Sequence, residues 1–175
     1  HHRRLSVSPI LGIWASSAQP AANTGSFESI ATTTGVGGIA ELTFSSIPNT
    51  YAHLQLRVMW QTSNDNWLRI NFNGDSTTSN YAFHELRGTG TSPANAYSAT
   101  SNNFALLQNA AASSNCYSVG VIDILDYANT NKYKTVRTIC GYDTNGSGQN
   151  IGLISNLWMN TSAISSIRLF QNNLQ

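Results

Sequence analysis

A chain of 175 residues with a formal net charge of +1 is long enough to bury one hydrophobic core and too short for two full domains. Only 10% of its residues are charged, against roughly 25% in an ordinary soluble domain, and Ser, Thr, Asn, Gly and Gln supply the missing polarity. The few Lys and Arg residues are scattered, which argues against nucleic acid as a partner, and no apolar run approaches the ~18 residues that would indicate membrane insertion.

In chain order, residues 1–4 read as a tag remnant or a disordered end and are set aside. Residues 5–26 combine an apolar cluster, Ile10, Leu11, Ile13 and Trp14, with an Ala/Ser/Pro/Asn stretch that has no period. The expectation is an extended N-terminal arm and linker over 1–26, whose four apolar residues need a surface such as a neighbouring subunit to lie on. Residues 9–15 are too short for a signal-peptide core, so the chain is expected to be soluble and leaderless.

From Phe27 onward the chain is a series of short β-type runs separated by turn residues, with no 3.6-residue period. Residues 27–34 and 39–45 predict a hairpin around Gly35-Val36-Gly37-Gly38, with Ala40, Leu42 and Phe44 on one face. Leu54, Leu56, Val58 and Trp60 alternate with Gln55, Arg57, Met59 and Gln61, and the first set is expected to face the core. Leu68, Ile70 and Phe72 alternate with Arg69, Asn71 and Asn73, predicting a second hairpin with the preceding strand. Residues 81–87 form the next strand and 88–101 a long polar loop; strands follow at 104–107, 117–127, 132–142, 151–159 and 164–170. The fold class is therefore all-β: a jelly-roll-like antiparallel β-sandwich of roughly ten strands over residues 27–175.

A hairpin turning around Asn129 and Thr130 places Cys116 opposite Asp143 and Cys140 opposite Val119, so two free thiols are expected. In that register Asp123, which shares a face with Val121 and Leu125, has Lys134 and Thr138 as diagonal neighbours. It reads either as a buried carboxylate of functional interest or as an Asp satisfied by backbone donors or by those neighbours.

Polysaccharide hydrolysis needs two carboxyl groups across a groove. Asp123 and Asp126 are three residues apart on a strand and leave opposite faces. His53 and His84 are the interior histidines, no Ser occupies a Gly-x-Ser-x-Gly elbow, and no Cys/His set has zinc spacing. Asn71-Phe72-Asn73-Gly74-Asp75 and Asp143-Thr144-Asn145-Gly146-Ser147-Gly148 look like calcium-loop fragments, but the twelfth position counted from Asp143 is Ile154, so both read as Asx/Gly turns. No metal, cofactor or catalytic set is expected. A carbohydrate site would use an exposed aromatic flanked by amides and carboxylates: Trp67 beside Asn64, Asp65 and Asn66, and Tyr97, are the candidates, with core or subunit packing as the competing use of each ring.

Several segments carry a resemblance. Ser8-Pro9-Ile10-Leu11-Gly12-Ile13-Trp14, Phe27-Glu28-Ser29-Ile30, Leu42-Thr43-Phe44-Ser45-Ser46-Ile47-Pro48 with Tyr51 and His53-Leu54-Gln55-Leu56-Arg57 open the pattern. It continues through Phe72-Asn73-Gly74-Asp75, Ser79-Asn80-Tyr81-Ala82, the stretch from Val121 to Thr135, Leu157-Trp158, Asn160-Thr161 and Ala163-Ile164. Together these resemble a widespread set of tailed-bacteriophage virion proteins, and the resemblance spans nearly the whole chain. It implies a non-enzymatic virion structural protein on the outer surface of the particle, either a tail-fibre or receptor-binding component or a capsid decoration protein. The implied partners are further copies of itself as a homo-oligomer and other virion proteins, with a host-surface glycan as an additional candidate. A stand-alone lectin-like module and a polysaccharide hydrolase are the alternative functions.

Overall fold

The computed structural model describes residues 27–35, 39–61, 67–90, 95–100, 104–107, 115–144 and 149–171. The chain divides into two units, His1–Thr34 and Gly35–Gln175. In the first, the described residues 27–34 form neither strand nor helix, so the hairpin expected between 27–34 and 39–45 is not made. The assembly-arm residues Ile10, Leu11, Ile13 and Trp14 lie outside the described residues.

The second unit is all-β, built from two antiparallel sheets. Its strands are β1 (Glu41–Phe44), β2 (His53–Trp60), β3 (Leu68–Phe72), β4 (Tyr81–Gly88), β5 (Asn95–Thr100), β6 (Phe104–Leu107), β7 (Ser118–Leu125), β8 (Lys134–Asp143), β9 (Gln149–Trp158) and β10 (Ile167–Gln171). One sheet has the order β1-β10-β3-β6 and the other β2-β7-β8-β9-β4-β5. β6 lies against β4, β7, β8 and β9, so the sheets face each other.

Three pairings depart from the sequence expectation, each for a packing reason. β1 pairs with β10, setting Leu42 opposite Leu169 and Phe44 opposite Ile167, a more apolar match than residues 27–34 provide. β2 and β3 fall in different sheets rather than forming a hairpin. Each carries one continuous apolar face, and in facing sheets those two faces cover one another. Half of the expected polar loop 88–101 is β5, which runs antiparallel along β4 from Ala82↔Thr100 to Arg87↔Asn95 and so pairs backbone groups that would otherwise form a bare edge.

The β7–β8 hairpin forms, but one residue out of the expected register: Gly120 faces Cys140, Ile122 faces Thr138 and Asp123 faces Arg137. Core-facing residues are even-numbered in both strands, Ser118, Ile122 and Ile124 in one and Lys134, Val136, Thr138 and Cys140 in the other. A register pairing even with odd positions would set core residues against solvent-facing ones, since side chains alternate with period two. Both cysteines are free; the Cys116 thiol donates to the Asp143 carbonyl and that of Cys140 to Gly152.

The core draws on both sheets: Ile70, Phe72, Ile122, Ile124, Val136, Ile154 and Trp158 are fully enclosed, and Leu54 and Trp60 of β2 face inward as expected. Phe72 and Trp158 meet across the sheets at 5.5 Å between ring centroids, tilted by 50°. Each fully buried aliphatic or Phe side chain contributes about 1.5–3 kcal/mol.

Candidate functional site

Of the residues proposed for carbohydrate, Asn64, Asp65 and Asn66 lie outside the described residues. Trp67 is half-buried and packed against the core, its ring 6.4 Å from that of Phe83. Tyr97 sits on β5, in register with Glu85 of β4. The structure thus places Trp67 in the packing role and sets Tyr97 in a strand rather than a loop.

The acids are distributed among structural partners. Asp123 is on the outward face of β7, not in the core, and accepts from Gln55 Nε2 at 2.9 Å; its neighbours are Gln55 and Arg137, not Lys134 or Thr138. Asp126 has left the strand, with φ of 51° at the hairpin turn, and is bonded to Lys132. That bond holds its carboxyl below the usual range against the opposing effect of desolvation, assisted by the charges of Lys132 and His53. Glu41 accepts from Arg168 Nε at 2.8 Å. Glu85 is buried in the interior face of β4. His53 begins β2 and accepts the Asp126 backbone N–H at 3.0 Å; His84 is exposed on β4. Among the described residues no group of three His, Cys, Asp or Glu side chains is arranged to hold a metal ion.

One constellation gathers several turn segments that are far apart in the chain. Asn73 (φ 53°) and Gly74 (φ 70°) form a tight turn closed by Asp75 N–H to Phe72 C=O at 2.9 Å, the left-handed pair that an Asn-Gly turn favours. Asp75 Oδ2 then accepts from Trp158 Nε1 and Asn80 Nδ2, both at 2.8 Å, and Oδ1 from the Thr77 N–H at 3.0 Å. Desolvation alone would raise this carboxyl, but the donors Trp158, Asn80 and Thr77 hold it below its ordinary value. Burial pushes the Tyr81 hydroxyl, which donates to the Asp75 carbonyl at 2.7 Å, in the opposite direction.

Asn73 also bridges to the segment before β10: its Nδ2 donates to Ala163 C=O at 2.8 Å, and its Oδ1 accepts the Ser165 and Ser166 N–H groups at 2.8 and 3.1 Å. Tyr127, fully buried, donates its hydroxyl to Pro48 C=O and accepts the Ile164 N–H on its own carbonyl. Lys134 is enclosed, and its ammonium donates to the carbonyls of Asn129, Lys132 and Thr161. Burial, and then the charge of Lys132, lower its pKa from 10.5. These contacts tie the turn at 73–75 to Asn80, Trp158 and residues 163–166, and tie residues 127–134 to Pro48, Thr161 and Ile164, so they join the connections at this end of the two sheets.

The outward face of the six-stranded sheet is different. Its transverse rows follow from the register: Arg57, Val121, Ile139, Leu153 and Leu86 in one, Met59, Val119, Gly141 and Ile151 in the next. Met59 is 70% exposed, Ile151 64% and Ile139 60%, and Val119, Val121, Leu153 and Leu86 are also open to solvent. Seven aliphatic side chains therefore stand bare across five strands. Below them runs a polar row, Gln55, Asp123, Arg137, Ser155 and His84. Between Met59, Val119, Ile139 and Ile151 a shallow depression of about 620 Å³ opens over Gly141. A Cβ on Gly141 would lie 2.7 Å from the Asn150 carbonyl oxygen, so backbone proximity requires glycine at that floor.

The chain matches no family model, no curated protein and no solved structure. Its function therefore rests on the geometry above. The open aliphatic face was missed from sequence because Val121-Ile122-Asp123-Ile124-Leu125 is apolar at both parities. The available signal was that Val119, Val121, Ile139, Ile151 and Leu153 are all odd-numbered while the core residues of the same strands are even-numbered.

Proposed function

We propose that this chain is a non-enzymatic structural component of a tailed-phage particle, a tail-fibre or receptor-binding domain or a capsid decoration protein, exposed on the particle's outer surface. The observation that carries this reading is the seven-residue aliphatic field on the outward face of the larger sheet. Its seven side chains are contiguous and between 38% and 70% exposed, and a contiguous exposed apolar field of this kind marks an interaction surface. Such a surface serves assembly. A sugar platform needs an exposed aromatic ring with hydrogen-bonding side chains around it, and this field is aliphatic.

The fold is read as a jelly roll with one elaborated strand. If an eight-stranded jelly roll is numbered in chain order, its sheets run 1-8-3-6 and 2-7-4-5. Treating the meander β7-β8-β9 as one position turns the observed orders into those two. This agreement supports the topology, and the resemblance of the turn segments to phage virion proteins supports the setting. The arm residues Ile10, Leu11, Ile13 and Trp14 act as a second assembly element.

The test is to purify the phage particles, detect the chain by mass spectrometry, and locate it with a gold-labelled antibody. The expected result is regular labelling at the capsid or at the tail. Absence of the chain from purified particles would remove the proposal, and unchanged particle binding after deletion of residues 5–26 would remove the arm's role.

A further inference from the structure

We infer that the outward face of the six-stranded sheet is the interface between two copies of this chain, packed face on face about a twofold axis. This names the partner of the assembly surface and rests on the virion reading only for its biological setting.

Area is the first support. Seven contiguous aliphatic residues, from Val121 at 38% to Met59 at 70% exposed, form the apolar centre of a face that, with the polar row beside it, offers room for the ~800 Å² per partner of a standard stable interface. Two such faces stacked at the ~10 Å spacing of packed sheets would bury their aliphatic rows against each other.

Shape is the second. A twofold contact uses the same patch on both subunits, so the patch must contain both protrusions and a recess. Met59, Ile139 and Ile151 are the most exposed side chains of the field, and they stand around the depression over Gly141. Protrusions and a shallow dip occur on one surface, and the 2.7 Å approach of Asn150 C=O to any Cβ at position 141 leaves no side chain there to fill the dip.

Charge is the third. The aliphatic rows contain no carboxylate, and their one cation, Arg57, lies on the edge strand β2 with its Nε bonded to Gln55 Oε1 at 3.1 Å. A basic partner finds no counter-charge in these rows, and an acidic one finds a single cation at their edge. A second copy brings another field that is aliphatic apart from Arg57, while Gln55, Asp123, Arg137, Ser155 and His84 supply a polar border of the kind that rims protein interfaces.

Sedimentation equilibrium on the full chain at about 100 µM, a concentration that populates complexes of micromolar or tighter affinity, tests the inference. The expected mass is twice 18.9 kDa. Ile139→Asp combined with Ile151→Asp, both at exposed positions, should return it to 18.9 kDa, a weakening of at least ~100-fold. The circular dichroism spectrum should be unchanged. Met59→Lys on the edge strand is a milder second variant and should weaken pairing in the same direction. Thr135→Asp, outward on β8 but beyond the polar row, should leave the pair intact. A wild-type chain that sediments as a single copy, or a pair that survives the Ile139/Ile151 substitution, overturns the inference. A single-copy chain that still labels particles removes this contact and spares the virion reading. A pair in solution with no chain on particles does the reverse.

Discussion

Replacing Lys134 by Met sets two opposed terms against each other at one buried atom. Met keeps most of the aliphatic volume, so the core is largely preserved, and what disappears is the ammonium with its bonds to the carbonyls of Asn129, Lys132 and Thr161. Hydrogen bonds from a charged donor are each worth about 1.5–3 kcal/mol. All three acceptors belong to exposed residues that water can partly resolvate, and removing a desolvated charge returns some free energy, so the net loss should be about 2–3 kcal/mol. For a domain of this size that lowers the thermal midpoint by roughly 4–12 °C. The difference between wild type and variant should also depend on pH. Because burial, then Lys132, hold Lys134 below 10.5, the folded state sheds this proton before the unfolded chain does. The wild type therefore gains on the variant as pH rises through the folded value, and the gain is complete by 10.5. Urea unfolding of both proteins from pH 7 to 11 measures this. A variant as stable as wild type would mean that desolvation cancels the three carbonyl bonds, and Lys134 would not stabilise this end of the domain.

Asp75→Ala should cost about 1–3 kcal/mol at pH 7, because the buried Trp158 indole N–H loses its acceptor. Asp75 is held below 3.8 when folded, so its contribution is present above that pH and fades as pH falls through the folded value; denaturant titrations should show the gap closing in acid. Gly141→Ala should destabilise by about 1–3 kcal/mol through the clash with Asn150 C=O, read as a lower thermal midpoint. Thr138→Val should be neutral or stabilising by up to about 1 kcal/mol, since the Thr138 hydroxyl is buried without a hydrogen-bond partner among the described residues. A clear loss in calorimetry would show that the hydroxyl is satisfied in solution.

Alternation made β2 readable and placed Leu54 and Trp60 inside, while β4 and β6 were readable as short runs bounded by turn residues. The Asn73-Gly74 turn was readable for a local reason: a side-chain amide and a missing Cβ both favour positive φ. Pairing partners were not readable, because alternation shows which face of a strand is apolar and not which strand lies beside it, and for Leu42 and Phe44 the better apolar match is in β10, 120 or more residues away. The β7–β8 register was within reach, since matching parity in the two strands excludes a centre between Asn129 and Thr130 and admits one on Thr130. Asp123 was misassigned for the same reason: Val121 and Leu125 beside it suggested the core, yet they belong to the outward face. As for the expected sugar ligands, Trp67 could not be separated from core aromatics by type, and its packing near Phe83 is visible only in the structure.

That misassignment bears on what the protein does. A strand apolar on both faces is normally one covered on both sides, whereas an antiparallel sandwich usually leaves polar residues outside. β7, β8 and β9 each place an aliphatic residue on the solvent side of the row through Val121, Ile139 and Leu153, with core residues beneath them. The half of the same face that carries Gln55, Arg137, Ser155 and His84 is polar, so the sheet does not need aliphatic side chains there to form. The edge of β2, unpaired among the described residues, is a poor site for joining by strand addition, because Arg57 stands on it and a charged edge strand discourages such pairing. An additional layer over the aliphatic half satisfies these features at once, and it accounts for a sequence in which both parities of three adjacent strands are apolar at one end only.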